Sequence, residues 1–339
     1  MMKGIGAPSW QKTALRAGVT AAALLATFST LSAQEARAPK PGPIEFTVGT
    51  GPGGTPDVIV RHVARILNET GIVKRPLVVK NRVGGAWTVA GNYVVGKPGN
   101  EHTVLYLAGP LISTPIIQGL PPVYDKITPI CMFAKGDVAV AVHADSGITN
   151  LKQLFARARK QPELIVGGAH VGTVDQLVTD ALERAGHVKF NYIPFKGGGA
   201  AMTAFLGKNT DINVISLYEA IPLLKAHKIN IVAVMTDERP SEPPFDKIPT
   251  AKEQGYDIDM GWAQAWGLAG PPNLDPAVVK WWEQKIAAMV KTKQWKQFVK
   301  ESWLKTNYGD AAAAKQFMLE DLKHYNEVLP GLGLIKKKK

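Results

Sequence analysis

The chain has 339 residues, 40 Lys and Arg against 28 Asp and Glu, a formal net charge of +12, and a single cysteine, Cys131. One cysteine excludes an intramolecular disulfide, so stability must come from the core, and the length suffices for one large domain or two of ordinary size. The basic excess is scattered among acids without an aromatic stripe, which excludes a nucleic-acid surface and leaves a weak preference for anionic partners.

Residues 1–33 read as a secretory signal peptide. Lys3, Lys12 and Arg16 precede the apolar run Ala17 to Ala33, which has small residues at its exit. That run is shorter than the roughly 20 residues needed to span a bilayer. Without those three cations the charge is +9, and Lys336 to Lys339 supply four of these as a solvated basic tail, 336–339. The expected mature protein is exported to the periplasm.

From Gly42 onward, short β-rich runs alternate with amphipathic stretches. The spacing predicts strands at IEFTV, PLVVKN, TVLYL, VAVAV, LIVGG, NYIPF, INVIS and IVAVM. Helices are predicted between them at PDVIVRHVARILNE, NLKQLFARARK, VDQLVTDALERAG, AAMTAFLG and YEAIPLLKAHK. Beyond Asp275, whose side chain caps a helix opened by Pro276, the pattern turns helical. Such alternation implies an α/β fold in which each sheet is mostly parallel and flanked by helices. Two batches of strands suggest two lobes, with AKGDVAVAV and MGWAQAWGLAG as the crossings. Lobe 1 is expected to be discontinuous, 42–137 and 262–335, and lobe 2 to span 138–261.

Four glycine-rich turns join strands to helices: GTGPGGTPD, NRVGGAWT, GGAHVGTVD and FKGGGAA. Glycine lets a ligand approach the backbone, and the following helix offers unpaired N–H groups and the positive end of its dipole. Thr55 with Pro56 reads as the start of the first helix, and Thr173 with Gln176 as a capping box for the third. Gly49, Gly51 and Gly54 match the spacing G-x-G-x-x-G. A dinucleotide site is nevertheless disfavoured: the next strand ends in Lys80 and Asn81 where an acid is needed, and the helix begins after Gly54. Four turns, two in each lobe, point to an anion held from both sides.

Other chemistry is missing from the motifs. The seven histidines form no metal-ligand spacing, and there is no G-x-S-x-G elbow or Walker motif, so no catalytic residue, metal or cofactor is assigned. Cys131 lies in an apolar run and reads as a buried thiol. Asp57 and Asp175 sit at helix starts, where a carboxylate favours the dipole. Trp87 and Trp266 are expected at the cleft, while Trp281, Trp282, Trp295 and Trp303 are expected to pack.

From about Pro43 to Leu332 the sequence resembles the extracytoplasmic receptors of tripartite tricarboxylate transporters, the Bug solute-binding proteins. The resemblance rests on GPGGTPDVIVR, VVKNRVGGAWTVAG, GGAHVGTVDQL, IPFKGGGAAMTAFLGKNTDI and VMTDERPSEPPFDKIPTAKEQGYD, in that order. It implies a two-lobed, type II periplasmic binding protein fold that closes on one small carboxylate. Carried over, Gly53, Gly54, Thr55 and Asp57 form one wall and Ala169, His170, Val171, Gly172 and Thr173 the other, with Lys196 and Gly197 nearby. His170, Gln176, Phe195, Lys80 and Trp87 depart from the family pattern, and the larger side chains suggest an aromatic or bulky acid. The implied role is a monomeric receptor that delivers its ligand to transporter membrane subunits. A receptor that presents its ligand to a sensor kinase, and an exported α/β enzyme, remain open at this point.

Overall fold

The computed structural model describes residues 35–258 and 264–335. The signal segment, the basic tail, Trp262 and the predicted boundary between 261 and 262 lie outside the described residues.

Two mixed sheets flanked by helices make up the fold. The first begins with β1 (Ile44–Val48), α1 (Thr55–Glu69), β2 (Leu77–Asn81), α2 (Thr88–Val95) and β3 (Thr103–Leu107). α1 buries Ile59, Val60, Val63, Ala64, Ile66 and Leu67 along one face and exposes Arg61 and Arg65, so it packs as a crossover helix. Strands joined through such helices run parallel, as β1 does with both β2 and β3. α3 (Pro110–Gln118) then leads to β4 (Thr128–Gly136).

Only Asp137 separates β4 from β5 (Val138–His143), so one extended run passes from the first sheet into the second. There α4 (Leu151–Lys160), β6 (Ile165–Ala169), α5 (Val174–Gly186), β7 (Asn191–Phe195) and α6 (Gly198–Leu206) follow. β8 (Ile212–Ser216), α7 (Leu217–Lys225) and β9 (Ile229–Val234) complete a sheet of order β7-β6-β8-β5-β9. β10 (Ala265–Gly270) returns to the first sheet, followed by α8 (Pro276–Met289), α9 (Lys293–Glu301), β11 (Leu304–Gly309) and α10 (Ala311–Val328). The first sheet has the order β11-β4-β10-β3-β1-β2.

In each sheet four strands point one way, out of six and out of five; the opposed strands are β10 and β11 in one and β5 in the other. Antiparallel pairing is thus confined to the crossings and the β11 edge. The crossings are tied together where the Gly136 N–H donates to the Gln264 carbonyl at 2.9 Å.

All eight predicted strands are present, and the three unread ones have physical causes. β11 is an edge strand whose LKTNYG is largely polar, so no apolar period marks it. β10 carries two glycines, and a Cβ on Gly267 would lie 2.2 Å from the Cys131 carbonyl. The β4 centre, Ile130 to Ala134, is buried on both faces and shows no alternation. The unread helix α3 carries Pro110 and Pro115 within nine residues.

Aromatic rings fill the first lobe. Trp282 and Trp295 are fully buried; Phe46 meets Trp282 edge-on at 5.6 Å, and Phe133 meets Tyr106 and Trp295 at 5.9 and 6.0 Å. Trp281 and Trp303 are only partly buried. Cys131 is fully buried, and burial pushes its thiol pKa up, as an inert core thiol requires. Among the described residues no helix is long and apolar enough to cross a membrane.

Replacing Trp282 with alanine should lower unfolding free energy by about 3–5 kcal/mol in denaturant melts. A loss under about 1 kcal/mol would mean that the ring is not the packing centre its burial indicates.

Candidate functional site

Loops at the carboxyl ends of parallel strands are the ligand sites of open α/β sheets. Here the ends of β1 and β3 face those of β6, β7 and β8 across a cavity of about 110 Å³. Thr50, Thr55 and Trp87 line it from one lobe; Ala169, His170, Thr173 and Gly197 line it from the other.

The first loop is built around Trp87. Gly49 has no room for a side chain, because a Cβ there would sit 2.4 Å from the Trp87 ring. Trp87 holds φ 77° just before α2 and is 3% exposed, so its indole lies against the end of β1 and walls the cavity. The Gly53 N–H donates to Asp57 at 2.9 Å, with Gly53 at φ +82°. Asp57 also accepts from Arg61 and Asn81, at 3.0 and 2.8 Å. Burial opposes its charge, but these three donors outweigh burial and hold the carboxyl below its ordinary range. Asp57 therefore ties the loop together and does not line the cavity.

The expected cap at Thr55 is not formed. Gly54, extended at φ −71°, is the N-cap, and α1 starts one residue early because Pro56 fits its first turn. The freed Thr55 hydroxyl reaches across the cleft, donating to Glu219 Oε1 at 2.7 Å and lying 3.1 Å from Ser216 Oγ.

The third loop differs from the expected capping box in a similar way. Gln176 Oε1 accepts from Gly172, at 2.8 Å, and not from Thr173; Gly172 at φ +76° presents its N–H to that side chain. The Thr173 hydroxyl turns back to the His170 carbonyl at 3.0 Å. Among the described residues no acceptor meets the N–H of Thr173 or Val174, which open α5 at the cavity wall. Asp175 accepts the Ala169 N–H at 2.6 Å. Burial pushes its pKa up to about 7, the Ala169 N–H opposing and the Glu219 charge adding to the rise. The His170 ring lines the cavity with Nε2 buried and without a partner among the described residues, and burial lowers its pKa, favouring neutral imidazole.

The remaining predicted residues stand beside the cavity. Lys196 is exposed and, with Val171, lines a separate shallow depression. Gly172 abuts α3 of the other lobe, where a Cβ would lie 2.0 Å from Ile117 Cδ1. Gly53 and Gly54 shape the first loop from behind.

Sequence reading missed Glu219, Gln264 and Tyr325, which line the cavity with Trp266. Ser216 to Glu219 carries the pattern S-x-x-E, and Ser216 is the N-cap of α7, so the available signal spoke of a helix start and not of a cleft. Burial raises the Glu219 pKa, opposed by the hydroxyl and N–H groups of Thr55 and Ser216. Among the described residues no Lys or Arg lines the cavity, and no group of three or more His, Cys, Asp or Glu is placed to hold a metal.

A family model described as the tripartite tricarboxylate transporter family receptor matches residues 59–334. Protein BugT of Bordetella pertussis is 23% identical over 246 residues, 70% of this chain and 73% of its own. Among solved structures, the periplasmic binding protein BugD superposes with a TM-score of 0.79 at 21% identity, covering 87% of this chain and 99% of that one. An R. palustris protein solved with adipate gives a TM-score of 0.77 at 21% identity, covering 87% and 98%. At these identities the structural likeness is one of fold.

The raised Asp175 carboxyl makes a signed prediction. Between its ordinary 3.8 and about 7 the folded chain binds a proton that the unfolded chain has released, so this group's contribution to stability falls as pH rises through that window. In Asp175→Asn, unfolding free energy relative to the parent should rise across that window and level off above it. Denaturant melts at several pH values showing a flat difference would contradict the burial argument.

Proposed function

Since the chain belongs to the tripartite tricarboxylate transporter receptor family, we propose that it is an exported receptor that captures one small organic acid between its lobes and hands it to the membrane subunits of such a transporter. Family members are periplasmic binding proteins. The basic, apolar, small-residue start supports export with loss of residues 1–33. We take 42–137 with 262–335 as one lobe and 138–261 as the other, acting as a monomer, since a single chain supplies both walls.

The observation that carries the reading is the amino end of α5, where the Thr173 and Val174 N–H groups meet no acceptor among the described residues at the cavity wall. Such an end favours a carboxylate through unpaired N–H groups and dipole together. That a fold neighbour was solved with adipate agrees with this chemistry. Trp87 and Trp266 supply apolar surface for the body of the acid. The reading includes no bond-making step, and no hydroxyl is bonded to the His170 ring among the described residues. Capture works by lobe closure: the acid binds the closed form better and shifts the population toward it. Contacts across the cleft, Thr55 with Glu219 and Gly172 with Ile117, belong to that closed form.

A broad panel of organic acids, screened by thermal melting, should contain one or a few that stabilise the chain, by about 2.7 kcal/mol at a concentration of 100 Kd. Stabilisation by neutral compounds alone would contradict the anion argument. Gly172→Val, which places a branched side chain against Ile117, should weaken binding at least about tenfold, equivalent to 1.4 kcal/mol, while the free chain still melts cooperatively. Unchanged affinity would remove this contact from closure.

A further inference from the structure

We propose that a groove behind the two crossings governs how far the cleft stands open: its walls must approach one another when the cleft opens, so bulk seated in the groove holds the chain closed. The inference rests on the lobe-closure reading above and on no choice of ligand.

The strand orders place the groove. In the first sheet the crossing strands β4 and β10 separate β11 from β3 and β1, whose ends border the cavity. In the second sheet β5 separates β9 from β8, β6 and β7, whose ends border it from the opposite side. The chain leaving β9 and the chain entering β11 therefore meet on the far side of the crossings from the cavity. A groove of about 320 Å³ lies between them. Asp137 of the crossing lines it, with Arg239, Ser241 and Glu242 after β9 on one wall and Val299 of α9 and Trp303 beyond it on the other. Two sheets that turn about the crossings work as a lever: loops on one side separate as the segments on the other converge. With the cleft contact of Thr55 and Glu219 made, the groove stands open.

One apolar contact joins the two walls. Trp303 follows α9 at φ +54°, a left-handed conformation rare for a bulky side chain, and its ring meets Phe245 edge-on at 4.9 Å. Phe245 is fully buried and belongs to the second sheet's apolar cluster with Phe205, Ile215 and Val234. Trp303 thus comes from the first sheet's side and rests on the second sheet's core, as a spacer between the walls. The charged contact beside it contributes little, because Lys300 and Glu242 stand 3.8 Å apart and both are exposed. Bulk in the groove, and not a charged latch, sets the limit of opening. By linkage, whatever favours the closed form also raises affinity for an acid that binds that form, without touching the acid.

The test is a distance measurement between spin labels on Val89→Cys and Ala200→Cys. Both positions are exposed, on α2 and α6, whose starts border the cavity from opposite sides. Native Cys131 stays, because its buried thiol does not label. In the free chain, Ser241→Trp should raise the ratio of short to long distances at least about threefold over the parent, and Trp303→Ala should lower it by a similar factor. Ser241→Ala, which adds no bulk, should match the parent. Distances in Ser241→Trp that are unchanged or longer overturn the proposal, as does Ser241→Ala shifting as far as Ser241→Trp. A folded Trp303→Ala that matches the parent overturns the spacer role. Ser241 is exposed, so its variants keep the fold and are decisive even if Trp303→Ala melts early. No ligand enters the measurement, so its failure leaves the organic-acid receptor standing, and failure of the acid screen leaves the groove's role standing.

Discussion

The hydrogen bond from Thr55 to Glu219 joins the amino end of one lobe's first helix to a carboxylate of the other lobe. Much of the site follows from it. With a protein carboxylate at that end, α1 is met from within, and the open amino ends at the cavity wall are those of α5 and α6. The Glu219 charge also adds to the burial that raises Asp175, and among the described residues no Lys or Arg lines the cavity beside these two carboxyls. A cleft of this kind offers an anion its backbone N–H groups, while its side-chain acids bond to the loops and helix starts that form the walls.

Close packing at glycines makes this arrangement possible. Gly49 lets the Trp87 ring lie against the end of β1, Gly172 lets the third loop touch α3, and Gly197 lets the fourth loop approach Thr50. At each position an added Cβ would lie within 3.0 Å of the facing atom, so a side chain would push the walls apart. The two crossings are tied to each other by the Gly136 N–H and the Gln264 carbonyl. Rotation about such a pair of extended segments is the motion by which two-lobed proteins open and close.

Much of this was legible in the sequence. Alternation of β-rich and amphipathic runs located eight strands, and the glycine turns marked the loops that bound the cavity. What remained hidden was tertiary. The hydroxyls of Thr55 and Thr173 have the residue type and position of helix caps, and only the fold sends one to Glu219 and the other back to the His170 carbonyl. Glu219 itself reads as a cap because S-x-x-E is a local pattern, whereas its place on the cavity wall depends on a partner 164 residues away. Asp57 shows the converse: a loop acid that sequence placed on the ligand wall instead binds Arg61, Asn81 and the Gly53 N–H. Gly49 belongs to tryptophan packing and not to a phosphate turn.

The central claim is that the ligand carboxylate is held by the amino end of α5 and not by that of α1. Residue-resolved amide hydrogen exchange, with and without a saturating stabilising acid, tests it directly. The expected result is marked added protection at Thr173 and Val174 with little local change at Thr55. Protection gained at Thr55 alone, or no change at Thr173 and Val174 under saturation, contradicts it.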